Sequence, residues 1–140
     1  MIESGAADRI AQAIIKTLGT KRCLIAMMLA TWLLTAVGVF GDVAVITVAP
    51  IAIQMARRAN YHKLGVLMAM VGGVKAGNVM SPNPNAIAAA EGFGQPLTSV
   101  IAVGIIPAVT ALIVTALLAR ALAYKGSVIT DNDINAMEEK

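Results

Sequence analysis

Hydrophobic and polar positions divide the chain into a series of blocks. In residues 5–20, Ile10, Ile14 and Leu18 recur at i, i+4 and i+8 with Ile15 beside them, while Arg9, Gln12 and Lys16 fall on the other side. This spacing predicts an amphipathic helix, which Gly19 stops. It either packs on other helices or lies in a membrane interface, as its Lys and Arg would favour; either way it leads in rather than spans. Two apolar runs follow, residues 23–40 and 43–56, around the sequence Gly38-Val39-Phe40-Gly41-Asp42. Residues 64–80 are apolar again but interrupted by Gly72, Gly73, Lys75, Gly77 and Asn78, and they run into Ser81-Pro82-Asn83-Pro84-Asn85. Two prolines so spaced cannot continue a helix, since each lacks an N–H and biases its predecessor out of the α region. A helical pattern resumes over 86–91 before Gly92 and Gly94. Residues 97–123 carry no charge before Arg120 and hold Pro107 as a kink site. Residues 126–140 are polar and read as a tail or linker.

Apolar stretches of this length point to a bilayer, because about 20 helical residues cross a hydrocarbon core of roughly 30 Å. Residues 1–125 therefore read as an all-α integral membrane domain. Its parts are the interfacial helix over 5–20, a re-entrant helical hairpin over 23–56, a discontinuous helix over 64–91 and a transmembrane helix over 97–123. The hairpin follows from sidedness. Lys21 and Arg22 precede the stretch, and Arg57, Arg58 and Lys63 follow it. If loops on the cytoplasmic side collect Lys and Arg, both ends lie on that side. One span would separate the ends, and two full spans need more residues than the stretch contains. Two short arms meeting at a glycine-flanked tip satisfy both constraints, provided the tip is buried in protein or lines a watery cavity. A broken helix that crosses and a final span that returns bring Arg120 and Lys125 to the same side. The expectation is a multi-pass protein of the inner (plasma) membrane, with the lipid bilayer as its surroundings.

Composition sharpens this picture by exclusion. The 140 residues are 58% hydrophobic and 14% charged, whereas soluble domains carry roughly 25% charged residues. Six of the charges lie in residues 1–22 and five in 131–140, so the middle of the chain holds few. One cysteine, Cys23, and one histidine, His62, support neither a disulfide framework nor a zinc site, and no cofactor is implied. The net charge of +3 comes from bases at the ends of apolar segments, not from a basic patch interleaved with aromatics, so nucleic acid is not an expected partner. No secretory signal is expected, since residues 1–22 lack an apolar core ahead of a cleavage site. An enzyme is excluded for want of any Ser/His/Asp or metal constellation.

The few polar residues inside the apolar region are the candidates for chemistry. Asp42 sits at the hairpin tip, where an intramembrane carboxylate is costly and needs a reason. It is either a proton-accepting, cation-coordinating or pathway-ordering group, or an N-cap for an arm starting at Val43. Lys75 lies about 16 Å along a helix from Leu64, near mid-membrane, where it can bind an anionic substrate, pair with Asp42 or serve structure. Ser81, Asn83 and Asn85 offer donors and acceptors where the helix opens, and the following half-helix adds a positive dipole end. Beside proline they also suit ordinary turns. Glu91 borders the break as a second acid of the site or as a helix-end carboxylate. The methionines read as packing filler and His62 as a solvated loop residue.

These blocks resemble a known family, the gluconate:proton symporters (gluconate permeases), within the ion transporter superfamily of inverted-repeat carriers. The segment Glu3-Ser-Gly-Ala-Ala-Asp-Arg-Ile-Ala11 is similar to the lead-in before the family's hairpin. Lys21-Arg22, Ala26-Met27-Met28, Gly38-Val-Phe-Gly-Asp42-Val and Ala49-Pro50 resemble its Lys-Arg pair, Phe-Phe-Asp-Val tip and return arm. Gly73 through Pro84-Asn85-Ala86 to Gly92 takes the place of its proline-rich break. The likeness runs over residues 2 to 123. It departs where the family has Pro-Pro-His-Pro-Gly-Pro and this chain has Ser81-Pro82-Asn83-Pro84-Asn85, and where Gly41 replaces an aromatic. The resemblance implies part of one repeat of a secondary active transporter, with a second, inverted half elsewhere. It implies proton-coupled uptake of gluconate or another small organic anion, held at Lys75, Ser81, Asn83 and Asn85, with Asp42 and Glu91 in coupling or along the pathway. A homo-oligomer is compatible with this. The alternative is a small accessory membrane protein that transports nothing and packs its glycine-rich faces against partner helices.

Overall fold

The computed structural model describes residues 9, 13, 22–130 and 132–133. Within them the regular structure is helical, with one isolated bridge between His62 and Val128. Arg9 and Ala13 are helical, and the rest of the predicted amphipathic helix over 5–20 lies outside the described residues. Five helices follow: α1 Cys23–Ala36, α2 Gly41–Arg58, α3 Lys63–Val79, α4 Pro84–Gly92 and α5 Leu97–Ala121.

Helix α1 is apolar all round, as suits a helix enclosed by others or by lipid. It ends at Gly38, whose φ of 103° a side chain would strain. There Val39 N–H donates to Leu34 O and Gly38 N–H to Thr35 O, which satisfies carbonyls the helix end would orphan. Asn60, with φ 56°, ends α2 by the same motif, with Tyr61 N–H donating to Ala56 O. Helix α2 starts at Gly41 with Phe40 as N-cap, so Asp42 lies in its first turn and does not cap it. This corrects the reading of Asp42 as a cap: the carboxylate instead meets the positive end of the helix dipole, while Arg57 and Arg58 meet the negative end.

Helix α3 is central, and its small residues let neighbours approach closely. It runs parallel to α1. A methyl group on Gly73 would collide with Thr31 and the Met28 carbonyl, and a Cβ on Gly77 would lie 2.7 Å from Trp32 O. Across the same seam the Thr31 hydroxyl, shared with Met27 O and Met28 O of its own helix, reaches Met70 O at 3.1 Å. Helix α5 runs antiparallel to α3. A methyl on Gly72 would strike Thr115, a Cβ on Gly65 would lie 2.7 Å from the Ala123 Cα, and Gly104 abuts Val79 O. Met27, Met28 and Met70 are buried in the core with Cys23, Ala26, Ala30 and Leu34.

These directions gather the start of α1, the end of α2, the start of α3 and the end of α5 at one pole. Arg22, Arg57, Arg58, Lys63, Arg120 and Lys125 are exposed there. Residues 126–130 fold back across the start of α3 at this pole. His62 N–H donates to Ala123 O at 2.8 Å, Lys63 N–H to Ser127 O at 3.0 Å, and Ile129 is buried. The Lys63 ammonium meets Asp133 at 2.8 Å, and Asp133 also accepts from the Thr130 N–H and hydroxyl, the carboxylate half of a capping box. The His62 ring lies 3.0 Å from Gly126 O, so His62 is half-buried in this strap. The remaining tail, residue 131 and 134–140, lies outside the described residues.

Candidate functional site

At the opposite pole the tip between α1 and α2 lies against the break between α3 and α4. A Cβ on Gly38 would touch Pro82 Cγ at 3.9 Å, and one on Gly41 would sit 3.6 Å from Asn78 Nδ2 and collide with Val74. The residue at 41 is therefore glycine for close approach: a larger side chain would push the tip off α3. The two irregular segments of the chain thus meet.

The break is built by its own polar side chains. Helix α3 ends at Val79 because Pro82 and Pro84 deprive the next turn of N–H donors. Its last carbonyls then need partners. Asn78 O accepts from the Ser81 hydroxyl at 3.4 Å and from the Asn83 amide, which also donates to Ser81 Oγ at 3.0 Å. Asn83 Oδ1 accepts from the N–H groups of Asn85 at 2.9 Å and Ala86 at 3.0 Å, so Asn83 is the N-cap of α4, with Pro84 in the first helical position. Ser81 is fully buried and Asn83 half-buried. Both amide ends of Asn83 and the Ser81 hydroxyl are engaged within the break, and the N-terminus of α4 is capped from inside.

Other predicted residues stand open. Asp42, Lys75 and Asn85 are exposed, and none of the three side chains has a hydrogen bond or ion pair among the described residues. The pairing of Lys75 with Asp42 is therefore not formed: the two charges lie on α3 and α2 without a contact. Glu91 is exposed in the last turn of α4, two turns from Asn83, where a carboxylate gains nothing from the helix dipole. The arrangement combines an internally satisfied backbone break with three exposed polar groups: a carboxylate in the first turn of α2, an ammonium on α3 and a carboxamide at the start of α4. Such a set can offer donors to an anion from Lys75 and Asn85 and a proton-accepting or cation-attracting group from Asp42. Among the described residues no group of three or more His, Cys, Asp or Glu could hold a metal.

Asn78 escaped the sequence reading as a site residue, although its carbonyl is the hub of the break and its side chain faces the tip. The signal was its position, one residue before the end of a helix whose continuation proline forbids. Gly104, which lets α5 approach the freed end of α3 at Val79, could only be found in three dimensions.

Two helical stretches among the described residues, Lys63–Gly92 and Leu97–Ala121, are long and apolar enough to cross a membrane. The family model for GntP family permease matches residues 1–140. A Haemophilus influenzae protein named "Uncharacterized transporter" is 57% identical over 138 residues, covering 99% of this chain and 33% of that protein. A Pseudomonas aeruginosa "Gluconate permease" is 29% identical over 109 residues, covering 77% of this chain and 24% of that protein. The chain thus spans a third or less of the length of these relatives. No solved structure matches it.

Proposed function

This chain belongs to the GntP family of permeases, which makes it a membrane protein, and from that premise we propose that it is part of a secondary active transporter. The transported solute is gluconate or a similar small hydroxylated organic anion, moved across the inner membrane together with protons. The observation that carries this reading is the meeting of tip and break: two places where helix is interrupted face each other, in the manner of sites built from discontinuous helices. The name of the Pseudomonas relative points to gluconate as the first solute to test.

In this reading Lys75 and Asn85 bind the anion, and Ser81 and Asn83 hold the break in the shape that presents them. Asp42, exposed beside the break, takes the proton or orders the pathway, and Glu91 lies further along it. In the same reading the six exposed bases at the far pole face the cytoplasm, with the tip and break deeper in the membrane or toward its other side. The 23–56 unit enters and leaves from that cytoplasmic pole as a re-entrant hairpin, and the full carrier is completed by chain outside these residues, as one protomer or a homo-oligomer.

The test is uptake of labelled gluconate by cells expressing the full transporter, with citrate and short dicarboxylates as competitors. Asp42→Asn and Lys75→Met should each abolish concentrative uptake while membrane insertion stays intact. Near-normal uptake in both variants would refute the site assignment.

A further inference from the structure

The outward face of α2 differs in character from that of α5. Along α2 the exposed positions Asp42, Ile46, Pro50, Gln54 and Arg57 recur every three or four residues and so form one stripe. The opposite face, Ala44, Val48, Ala49, Ala52 and Ala56, is buried against the bundle. Ile46 is 71% exposed, so nothing among the described residues covers the middle of the stripe. Pro50 has no N–H, and the helical bond that would satisfy the Ile46 carbonyl cannot form. Gln54 lies about 18 Å along the helix from Asp42. The stripe thus carries a carboxylate at the tip end, a carbonyl deprived of its helical donor half-way, a carboxamide beyond it and guanidinium groups at the other end.

Helix α5 exposes Val103, Ile106, Ile113 and Leu117, and no charged, Asn or Gln side chain occurs over residues 97–119. Such a face suits lipid. The α2 stripe does not, because hydrocarbon offers no partner to the Gln54 carboxamide, a group tolerated at membrane depth where protein or water meets it. Pro107 frees the Val103 carbonyl of α5 just as Pro50 frees that of Ile46, so the carboxamide and not the carbonyl sets the two faces apart.

We propose that the outer face of α2 lines a water-filled groove along which the solute passes, with the Ile46 carbonyl and the Gln54 carboxamide as polar stations between the Arg57/Arg58 pole and Asp42. The chemistry selects a small hydroxylated anion: hydroxyl groups donate to the Ile46 carbonyl, Gln54 donates and accepts, and the basic pole attracts the negative charge. This rests on the transporter reading above and extends it to a second set of residues.

Single cysteines at Ile46, Gln54 and, for comparison, Ile113 and Leu117 of α5 test it, placed in the full transporter carrying Cys23→Ala and no other cysteine. Reaction with a membrane-impermeant anionic methanethiosulfonate in right-side-out and inverted vesicles should be at least tenfold faster at positions 46 and 54 than at 113 and 117. Gluconate at saturating concentration should slow it several-fold, and modification of Q54C should lower uptake. Reaction at 46 and 54 only with a membrane-soluble maleimide would show a lipid-facing stripe and overturn the proposal. Reaction with neither reagent would show a face packed on protein and would also overturn it. Aqueous labelling in a protein that takes up no organic anion would uphold the hydrated face and refute the transporter reading, since the labelling rate does not depend on uptake.

Discussion

Exchanging bulk across the seam between α3 and α5 is the most direct test of the packing. At Gly72 the three atoms nearest an added methyl all belong to the side chain of Thr115, whose Cβ would be 2.7 Å away, closer than carbon atoms approach. Overfilling a packed seam costs about 1–3 kcal/mol. The better helix propensity of alanine returns up to about 1 kcal/mol, leaving a net loss of about 1–2 kcal/mol for an overlap as deep as this one. Gly72→Ala should therefore lower the melting temperature of the transporter in detergent, at roughly 2–4 °C per kcal/mol for a domain of this size. Because the obstacle is a side chain, moving the bulk across the seam should relieve it: Thr115→Gly in the Gly72→Ala background should recover more than half of the loss. Thr115→Gly alone costs about 0.5–1 kcal/mol in helix propensity and lost packing, so the double variant shows a coupling of about 1 kcal/mol or more. Gly73 supplies the contrast. A methyl there meets Thr31 but also the Met28 carbonyl, which no side-chain change can remove. Thr31→Ala should thus fail to rescue Gly73→Ala. The assay is the fraction of monodisperse protein remaining after heating, read by size-exclusion chromatography. A Gly72→Ala protein that melts with the wild type, or a Gly73→Ala protein rescued as fully as Gly72→Ala, would refute the reasoning.

Three further outcomes follow from individual bonds. Thr31→Val keeps the shape of the side chain but loses the donor to Met70 O; the same heating assay should show a loss of about 0.6 kcal/mol, the mean for hydrogen bonds between membrane helices. Asn83→Ala removes the cap of α4 and the donors to Asn78 O and Ser81, lowering stability by about 1 kcal/mol or more, whereas Asn83→Asp keeps the cap acceptor and should lose less. The Asp133 carboxyl is held down to about 2, from its ordinary 3.8, by the hydrogen bond from Lys63 and then by those from Thr130. A carboxyl depressed in the folded state contributes above its unfolded pKa and loses that contribution as pH falls through its folded value. The strap should therefore stay closed at pH 5–8 and loosen between about pH 4 and 2, which amide exchange at Lys63 and Thr130 would report; Asp133→Asn should loosen it at neutral pH.

Particular residues show how far local chemistry could be read. The helical character was legible in apolar runs too long and too uncharged for strands of a soluble domain, and the break was legible in Pro82 and Pro84. Helix boundaries were less so. The return arm starts at Gly41, two residues before Val43, because glycine lets the tip lie on Val74 and Asn78. The helix after the break starts at Pro84, two residues before Ala86, because a proline in the first turn needs no N–H donor and Asn83 caps it. The roles of Ser81 and Asn83 were ambiguous because an amide beside proline can serve a ligand or the backbone equally. The structure occupies them with the backbone of the break itself. The polar stretch after residue 125 held no hint that 126–130 would return to α3, since that strap depends on a backbone pairing with residues far away in the chain.

Taken alone, the sequence pointed to the medium. Long uncharged runs are favoured out of water and the Lys and Arg at their ends stay with it, both being consequences of solvation that act on each segment separately. Tertiary structure alone decided which segments touch. Whether Gly73 faces α1 and Gly72 faces α5, whether the tip rests on the break, and whether Asp42 and Lys75 meet are questions of close packing between helices distant in the chain. They turn on collisions of single methyl groups, which no pattern along one segment records.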